Sequence, residues 1–270
     1  MKKGKSQKNN VIVSPFRKDD ENDANDSDQQ MEDMNYPGSI ITSNGKYKIY
    51  CLTIIGEVEG HNYSCDDVKT TKYECVIPQL IAVEQDPKID GMLILLNTMG
   101  GDVEAGLALA EIISGMAKPS VSVVIGGGHS IGVPLAVAAN KSFIAKSASM
   151  MLHPVRMNSG NLGIPQTFQY FQRMQNRITN FVCENSHIKP KRFKKLVTNT
   201  EELSADIGSV LDGDEAVNEG IIDYVGTISD AFRCLYSMID KKPKKPSKTK
   251  NKSKNTTSQK RSAKTKRNSR

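Results

Sequence analysis

A serine follows three glycines at the end of a strongly apolar segment. Residues 126–132 read Gly-Gly-Gly-His-Ser-Ile-Gly and come directly after a Val/Ile-rich run over 120–125. This order predicts that Ser130 lies where a buried strand gives way to a helix. A helix N-terminus offers unpaired N–H groups and a partial positive charge, which favour an alkoxide or an oxyanion. Ser130 is therefore the best candidate in the chain for a nucleophile.

A second glycine turn precedes this one in the sequence. Asn97-Thr-Met-Gly-Gly-Asp102 follows the apolar run 91–96. If both runs are parallel strands of one sheet, both turns lie at its carboxyl edge, where ligand sites form. The backbone of Gly100–Gly101 and the N–H of Ile131 can then converge beside the serine as an oxyanion hole.

A serine hydroxyl needs a base, and the chain has four histidines. His129 adjoins the serine, so its side chain is expected to point elsewhere. His61 lies in a polar loop, and His187 comes just after a long predicted helix. His153 ends the apolar run 150–152 and precedes a proline, so a strand end holds it rigidly. We therefore assign His153 as the general base.

The elements that position these residues alternate between strand and helix. Apolar runs of strand length, flanked by segments of helical periodicity, predict an α/β fold with a mostly parallel central sheet. Predicted strands cover 47–56, 91–96, 120–125, 142–145, 150–152 and 221–225, and predicted helices cover 72–85, 102–116, 165–185, 190–196, 214–219 and 230–239. The uncharged stretch 121–139 contains three glycines and a proline, so we interpret it as a buried strand, a turn and a helix rather than a membrane span.

Charge divides the chain into a body and two tails. Residues 19–33 carry eight acids and no base, residues 241–270 carry fourteen Lys/Arg and no acid, and residues 34–240 carry 17 basic and 22 acidic residues, a net of −5. We therefore predict a disordered N-terminal tail over 1–45, one domain over 46–240 and a disordered basic tail over 241–270. The basic tail could bind nucleic acid or another anionic surface, or have no specific partner.

The five cysteines are odd in number and have no CxxC or metal-like spacing. No cofactor and no metal are expected. A chain of this size without paired cysteines favours a reducing compartment, and no signal peptide is visible, so we expect the protein in the cytoplasm.

Two families share features of the serine segment. Gly128-His-Ser-Ile-Gly132 matches the elbow of α/β-hydrolases, whose triad runs serine, acid, histidine. The only acid between Ser130 and His187 is Glu184, three residues before that histidine, so this family is excluded.

Three motifs in order instead resemble the Clp protease proteolytic subunit (ClpP) family. They are Asn97-Thr-Met-Gly-Gly-Asp-Val-Glu-Ala-Gly106, His129-Ser-Ile-Gly132 and Met151-Leu-His-Pro154, and the similarity extends from Thr53 to Asp223. The residues around Thr71 and over 127–134 are most similar to the branch of translocation-enhancing proteins. The resemblance implies a ClpP/crotonase-type spiral fold with a protruding handle helix over 165–185.

The resemblance also implies a function. Ser130 would be the nucleophile, His153 the base, and Gly101 and Ile131 the oxyanion donors of a serine endopeptidase. Such an enzyme hydrolyses unfolded polypeptide inside an oligomeric chamber, with substrate extended beside Asp102-Val103 and Val155. An ATP-driven unfoldase is the family's partner, but the long charged N-terminal segment argues against dependence on one.

The third member of the triad is less well defined, because the segment that should carry it is longer here than in the family. Asp206 is the best chemical choice, a local match points to Asn199, and Glu201 and Glu202 are weaker candidates.

Two other functional classes stay open. One is a ClpP-like scaffold that acts through its tails, and the other is a crotonase-type acyl-CoA enzyme.

Overall fold

The protein is described by a computed structural model over residues 38–61, 64, 67–156, 164–201 and 207–241. Its strands are β1 (Ser39–Ser43), β2 (Lys48–Glu59), β3 (Thr70–Lys72), β4 (Gly91–Gly101), β5 (Ser120–Gly128), β6 (Lys141–Ile144), β7 (Ser149–Leu152), β8 (Ser209–Asp212) and β9 (Tyr224–Val225). Its helices are α1 (Tyr73–Gln85), α2 (Val103–Gly115), α3 (Gly132–Val137), α4 (Ile164–Glu184), α5 (Pro190–Val197), α6 (Gly213–Asn218) and α7 (Ile228–Lys241).

Parallel pairing dominates the sheet, as the alternation of strands and helices predicted. The strand order is β1-β2-β4-β5-β6-β9, and β2, β4, β5, β6 and β9 run parallel. β3 extends the sheet beside β2, while β7 pairs with both β5 and β8. The predicted α/β fold with a mostly parallel central sheet is therefore confirmed.

The central strands are mostly apolar because helices cover both faces of the sheet. In β4, Met92 and Ile94 pack against the larger core cluster that includes α1, α2 and α3, while Leu93 faces the opposite side. There, α7 contributes Ala231 and Leu235 to a second cluster. Side chains alternate between the faces of a strand, so a strand covered on both faces has apolar residues at most of its positions.

Two predicted boundaries differ from the structure. β1 forms an antiparallel pair with β2 and lies inside the segment 1–45 that was assigned to a disordered tail, so the folded body begins earlier than predicted. Its apolar signal is only Ile40-Ile41, and Ile40 is exposed. The predicted strand 221–225 is reduced to β9, because the N–H groups of Ile221 and Ile222 bind the Ala216 carbonyl at the end of α6.

The uncharged stretch 121–139 forms most of β5, a turn and α3, as predicted. Across the described ranges, no helix is both long enough and apolar enough to cross a membrane. The four cysteines in those ranges, Cys51, Cys75, Cys183 and Cys234, are free thiols.

Candidate active site

Ser130 lies on a strained turn between β5 and α3. Its φ of 56° makes it the one non-glycine residue with positive φ in the part of the chain that the structure describes. This conformation costs an ordinary residue about 1–2 kcal/mol, so the surroundings must hold it in place. The Ser130 N–H donates to the Met151 carbonyl at 2.8 Å, and the Gly132 N–H donates to the His129 carbonyl at 2.8 Å.

Between these two bonded amides lies the predicted oxyanion donor. Within the described residues, the N–H of Ile131 has no hydrogen-bond partner, although both neighbouring amides are used. The Ile131 side chain is buried, so the residue is fixed by packing rather than by its amide. An N–H left free beside a serine hydroxyl is available to an oxyanion.

The second predicted donor comes from the end of β4. Gly100 and Gly101 have φ of 105° and 146°, which only glycine adopts without strain. A Cβ on Gly100 would lie 2.6 Å from the Cβ of Ser130, closer than any real contact. Glycine is therefore required here both for its backbone conformation and for the close approach of the serine.

His153 faces the same space as the serine. Gly101, Ser130, Ile131 and His153 all line one cavity of about 190 Å³. The bond from Ser130 to Met151 fixes the position of the nucleophile relative to β7, the strand that ends one residue before His153. The structure thus brings the predicted nucleophile, base and oxyanion donors together. No hydrogen bond joins Ser130 to His153, both of which are described.

The protonation pattern of His153 follows from its one hydrogen bond. Its Nδ1 lies 2.7 Å from the Pro154 carbonyl oxygen. A carbonyl oxygen only accepts, so Nδ1 carries the hydrogen and Nε2 is left with a lone pair. This is the tautomer that a general base needs, but the group that orients the ring is a neutral carbonyl rather than a carboxylate.

The candidates for the third member of a triad fall into two groups. Asn199 and Glu201 line a separate cavity, where the Asn199 amide donates to the Ser209 hydroxyl at 3.2 Å. Asp206 and Glu202 lie outside the described residues. Gly208, two residues after Asp206 in the sequence, lies against His153, since a Cβ on Gly208 would be 3.0 Å from the His153 Cβ.

The predicted substrate-binding residues are placed differently from one another. Val103 and Val155 line the cavity, and the Val155 N–H donates to the Gln175 side chain at 3.1 Å. The Asp102 carboxylate instead caps α2 by accepting from the Ala105 N–H at 2.8 Å.

The far wall of the cavity was not foreseen from the sequence. It is mostly apolar and comes from α4 and α5, which contribute Ile178, Phe193 and Val197, while Arg156 and Gln175 add polar groups. The helix over 165–185 was predicted to be amphipathic and that over 190–196 to be basic, but neither pattern indicated which cavity these helices would line.

His129 is the most unusual residue at the site. Its Nδ1 is buried and is the only buried side-chain nitrogen or oxygen without a partner among the described residues. Burial lowers the pKa of His129, and the charge of His153 lowers it further. The imidazole next to the nucleophile is therefore held neutral.

Comparison with known proteins gives the class to which this fold and site belong. Residues 57–229 match the model of the Clp protease family, and the chain belongs to that family. It is 53% identical over 193 residues to the translocation-enhancing protein TepA of Halalkalibacterium halodurans, a match that covers 72% of this chain and 75% of that protein. The resemblance inferred from the three motifs is confirmed.

Proteolytic subunits are more distant. The chain is 27% identical over 157 residues to the ATP-dependent Clp protease proteolytic subunit of Cyanophora paradoxa, covering 56% of this chain and 75% of that protein. It is 27% identical over 158 residues to the corresponding subunit of Streptococcus suis, covering 56% of this chain and 76% of that protein.

Proposed function

We propose that this protein is a cytoplasmic serine endopeptidase that cleaves unfolded polypeptide inside a homo-oligomeric chamber. The observation that carries the proposal is the strained Ser130, which shares one cavity with His153 and with the free N–H of Ile131. Membership of the Clp protease family supports a peptidase. The name of the Halalkalibacterium relative favours a polypeptide in the course of translocation as substrate.

The reaction follows from the geometry. His153 Nε2 takes the proton as the Ser130 hydroxyl attacks the scissile carbonyl, and the N–H groups of Gly101 and Ile131 stabilise the oxyanion. The imidazolium then protonates the leaving amine, and water hydrolyses the acyl-enzyme by the same route. Val103 and Val155 flank the substrate strand, and the apolar far wall favours an apolar side chain next to the scissile bond.

The group that supports His153 determines how fast this reaction runs. The Pro154 carbonyl fixes the correct tautomer but stabilises an imidazolium less than a carboxylate would. Asp206 remains the predicted carboxylate, since Gly208 brings the chain to His153 two residues later.

The bond between His153 and the Pro154 carbonyl also favours a second candidate function. If the Pro154 carbonyl is the permanent partner of His153, the chain is a catalytically weak ClpP-like scaffold. It would then act on client polypeptides through binding and through its charged tails.

Labelling by a fluorophosphonate probe separates the two functions. The peptidase is expected to form one covalent adduct, which maps to Ser130, disappears in Ser130→Ala and persists in Ser114→Ala, where a half-buried serine of α2 is removed. Cleavage of fluorescein-labelled casein should follow the same pattern. Native mass spectrometry of the full chain reports the oligomer. An oligomer that is neither labelled nor active on casein would refute the peptidase and support the scaffold.

A further inference from the structure

The central strand β4 is irregular on both sides just before the glycine turn. Its pairing with β2 shifts between Ile55 and Glu57, and its pairing with β5 shifts between Leu96 and Thr98. Both irregularities therefore surround Thr98. A shift of this kind leaves backbone groups without ladder partners and bends the strand, so something else must fix the local conformation.

The side chain of Thr98 fixes the β2 side. Its hydroxyl donates to the Gly56 carbonyl at 2.5 Å and accepts from the Gly100 N–H at 3.0 Å. Thr98 is 1% exposed, so no water competes for these bonds. The hydroxyl thereby holds the Met99–Gly100 peptide, one residue before the Gly101 N–H, which is one of the two predicted oxyanion donors.

The backbone and the methyl group of Thr98 hold the β5 side. The Thr98 carbonyl accepts from the His129 N–H at 3.1 Å, one residue before the nucleophile. The methyl group lies against the first residue of α3, because a Cβ on Gly132 would be 2.8 Å from Thr98 Cγ2. One buried residue therefore contacts both the oxyanion turn and the nucleophile turn.

We propose that Thr98 is a positioning residue that sets the distance between the Gly101 N–H and the Ser130 hydroxyl. It touches neither substrate nor reacting atoms, and it acts through Gly100 and His129. The inference rests on the proposed function, because this distance matters for rate only if an oxyanion forms there. Loss of the hydroxyl alone should leave the Gly100 N–H unpaired and loosen the donor.

The test compares three substitutions in the full chain. Thr98→Val removes the hydroxyl at nearly constant volume, Thr98→Ser keeps the hydroxyl and loses the methyl, and Thr179→Val is the control. Thr179 is also 1% exposed, and its hydroxyl donates to the Gln175 carbonyl at 2.8 Å, inside α4. The control thus makes the same chemical change at the same burial without touching either turn.

Turnover of a fluorogenic peptide with leucine before the scissile bond gives kcat and KM separately. Thr98→Val should lower kcat by about 100-fold with little change in KM, because the oxyanion exists only in the transition state. Thr98→Ser should recover most of kcat, and Thr179→Val should match the wild type. An unchanged kcat in Thr98→Val, or a Thr98→Ser variant as impaired as Thr98→Val, would overturn the proposal. If Thr98→Val does not fold, Thr98→Ala replaces it.

Hydrogen–deuterium exchange separates failure of this inference from failure of the proposed function. If wild-type Ser130 does not react with the fluorophosphonate, the peptidase proposal has failed, and the positioning role is judged from exchange alone. Thr98→Val should then speed exchange in peptides covering 97–103 and 126–133, whereas Thr98→Ser and Thr179→Val should not. Equal exchange in all four proteins would refute a positioning role for Thr98.

Discussion

Substitution of Gly100 by alanine tests the approach of the oxyanion turn to the nucleophile. The new methyl group would lie 2.6 Å from the Ser130 Cβ and 3.2 Å from its Oγ. Carbon atoms in contact prefer about 3.5–4.0 Å, so one of the two turns must move by about 1 Å. A displacement of about 1 Å at a reacting group costs on the order of 100-fold in rate, and we expect that loss in Gly100→Ala.

Gly45→Ala is the matched control for this substitution. Gly45 also has a positive φ, 84°, but a Cβ there meets nothing within 4 Å. Both variants should therefore be destabilised by about 1–2 kcal/mol, because alanine is strained at positive φ. Only Gly100→Ala should also displace Ser130.

Two measurements check the reasoning. Urea unfolding should show a loss of about 1–2 kcal/mol in Gly45→Ala and a larger loss in Gly100→Ala. The rate of fluorophosphonate labelling should fall only in Gly100→Ala. The reasoning is wrong if folded Gly100→Ala reacts as fast as Gly45→Ala and the two variants are equally stable, since the glycine turn would then not touch the serine.

Three further predictions concern ionisable groups. Burial lowers the pKa of His129 from its ordinary value of 6.5. As pH falls, the His129 side chain therefore takes up a proton in the unfolded chain before it does so in the folded protein. The contribution of His129 to the free energy of unfolding should therefore be constant above about pH 7.5 and decrease as pH falls through 6.5, and His129→Gln should flatten this decrease. Burial raises the pKa of Cys51 to about 11, so iodoacetamide at pH 8 should modify the exposed Cys75 and leave Cys51 intact until urea is added. Asp206→Asn should lower kcat by up to about 10,000-fold if this carboxylate stabilises the imidazolium of His153.

Each of these predictions has a control. His61→Gln, at an exposed position, should leave the pH dependence of unfolding unchanged. Peptide mapping that finds Cys51 modified in the folded protein would show that β2 opens readily. Asn199→Ala should keep kcat near the wild-type value, because its amide binds Ser209 in another cavity. If Glu202→Gln abolishes turnover and Asp206→Asn does not, the carboxylate is Glu202.

The parts of the site that could be predicted are those encoded over short stretches. Ser130 follows an apolar strand and three glycines, so its place at a strand-to-helix turn is readable within about ten residues. His153 likewise ends a short apolar run. In a parallel sheet, the carboxyl ends of the strands lie at one edge, so the order of strands and helices predicts that Ser130 and His153 lie near each other.

The parts that could not be predicted depend on contacts between distant segments. Phe193 and Val197 line the cavity only because α5 packs beside α4, and nothing in their own periodicity indicates this. The partner of His153 depends on the rotation of its own side chain. It also depends on the segment that carries the predicted acid, which is longer here than in the family. β1 was missed because two isoleucines between polar residues are a weak signal until β2 supplies its hydrogen bonds.

The bond between the Ser130 amide and the Met151 carbonyl has a mechanical consequence. β7 is bonded to the turn that holds Ser130 and ends one residue before His153. The same turn is bonded to β4, because the His129 N–H donates to the Thr98 carbonyl. Ser130 is thus held between two strands, one that leads to its predicted base and one that ends at the predicted oxyanion donor Gly101. A shift of β8, which pairs with β7, would therefore act on the histidine first, while β4 keeps the serine beside Gly101.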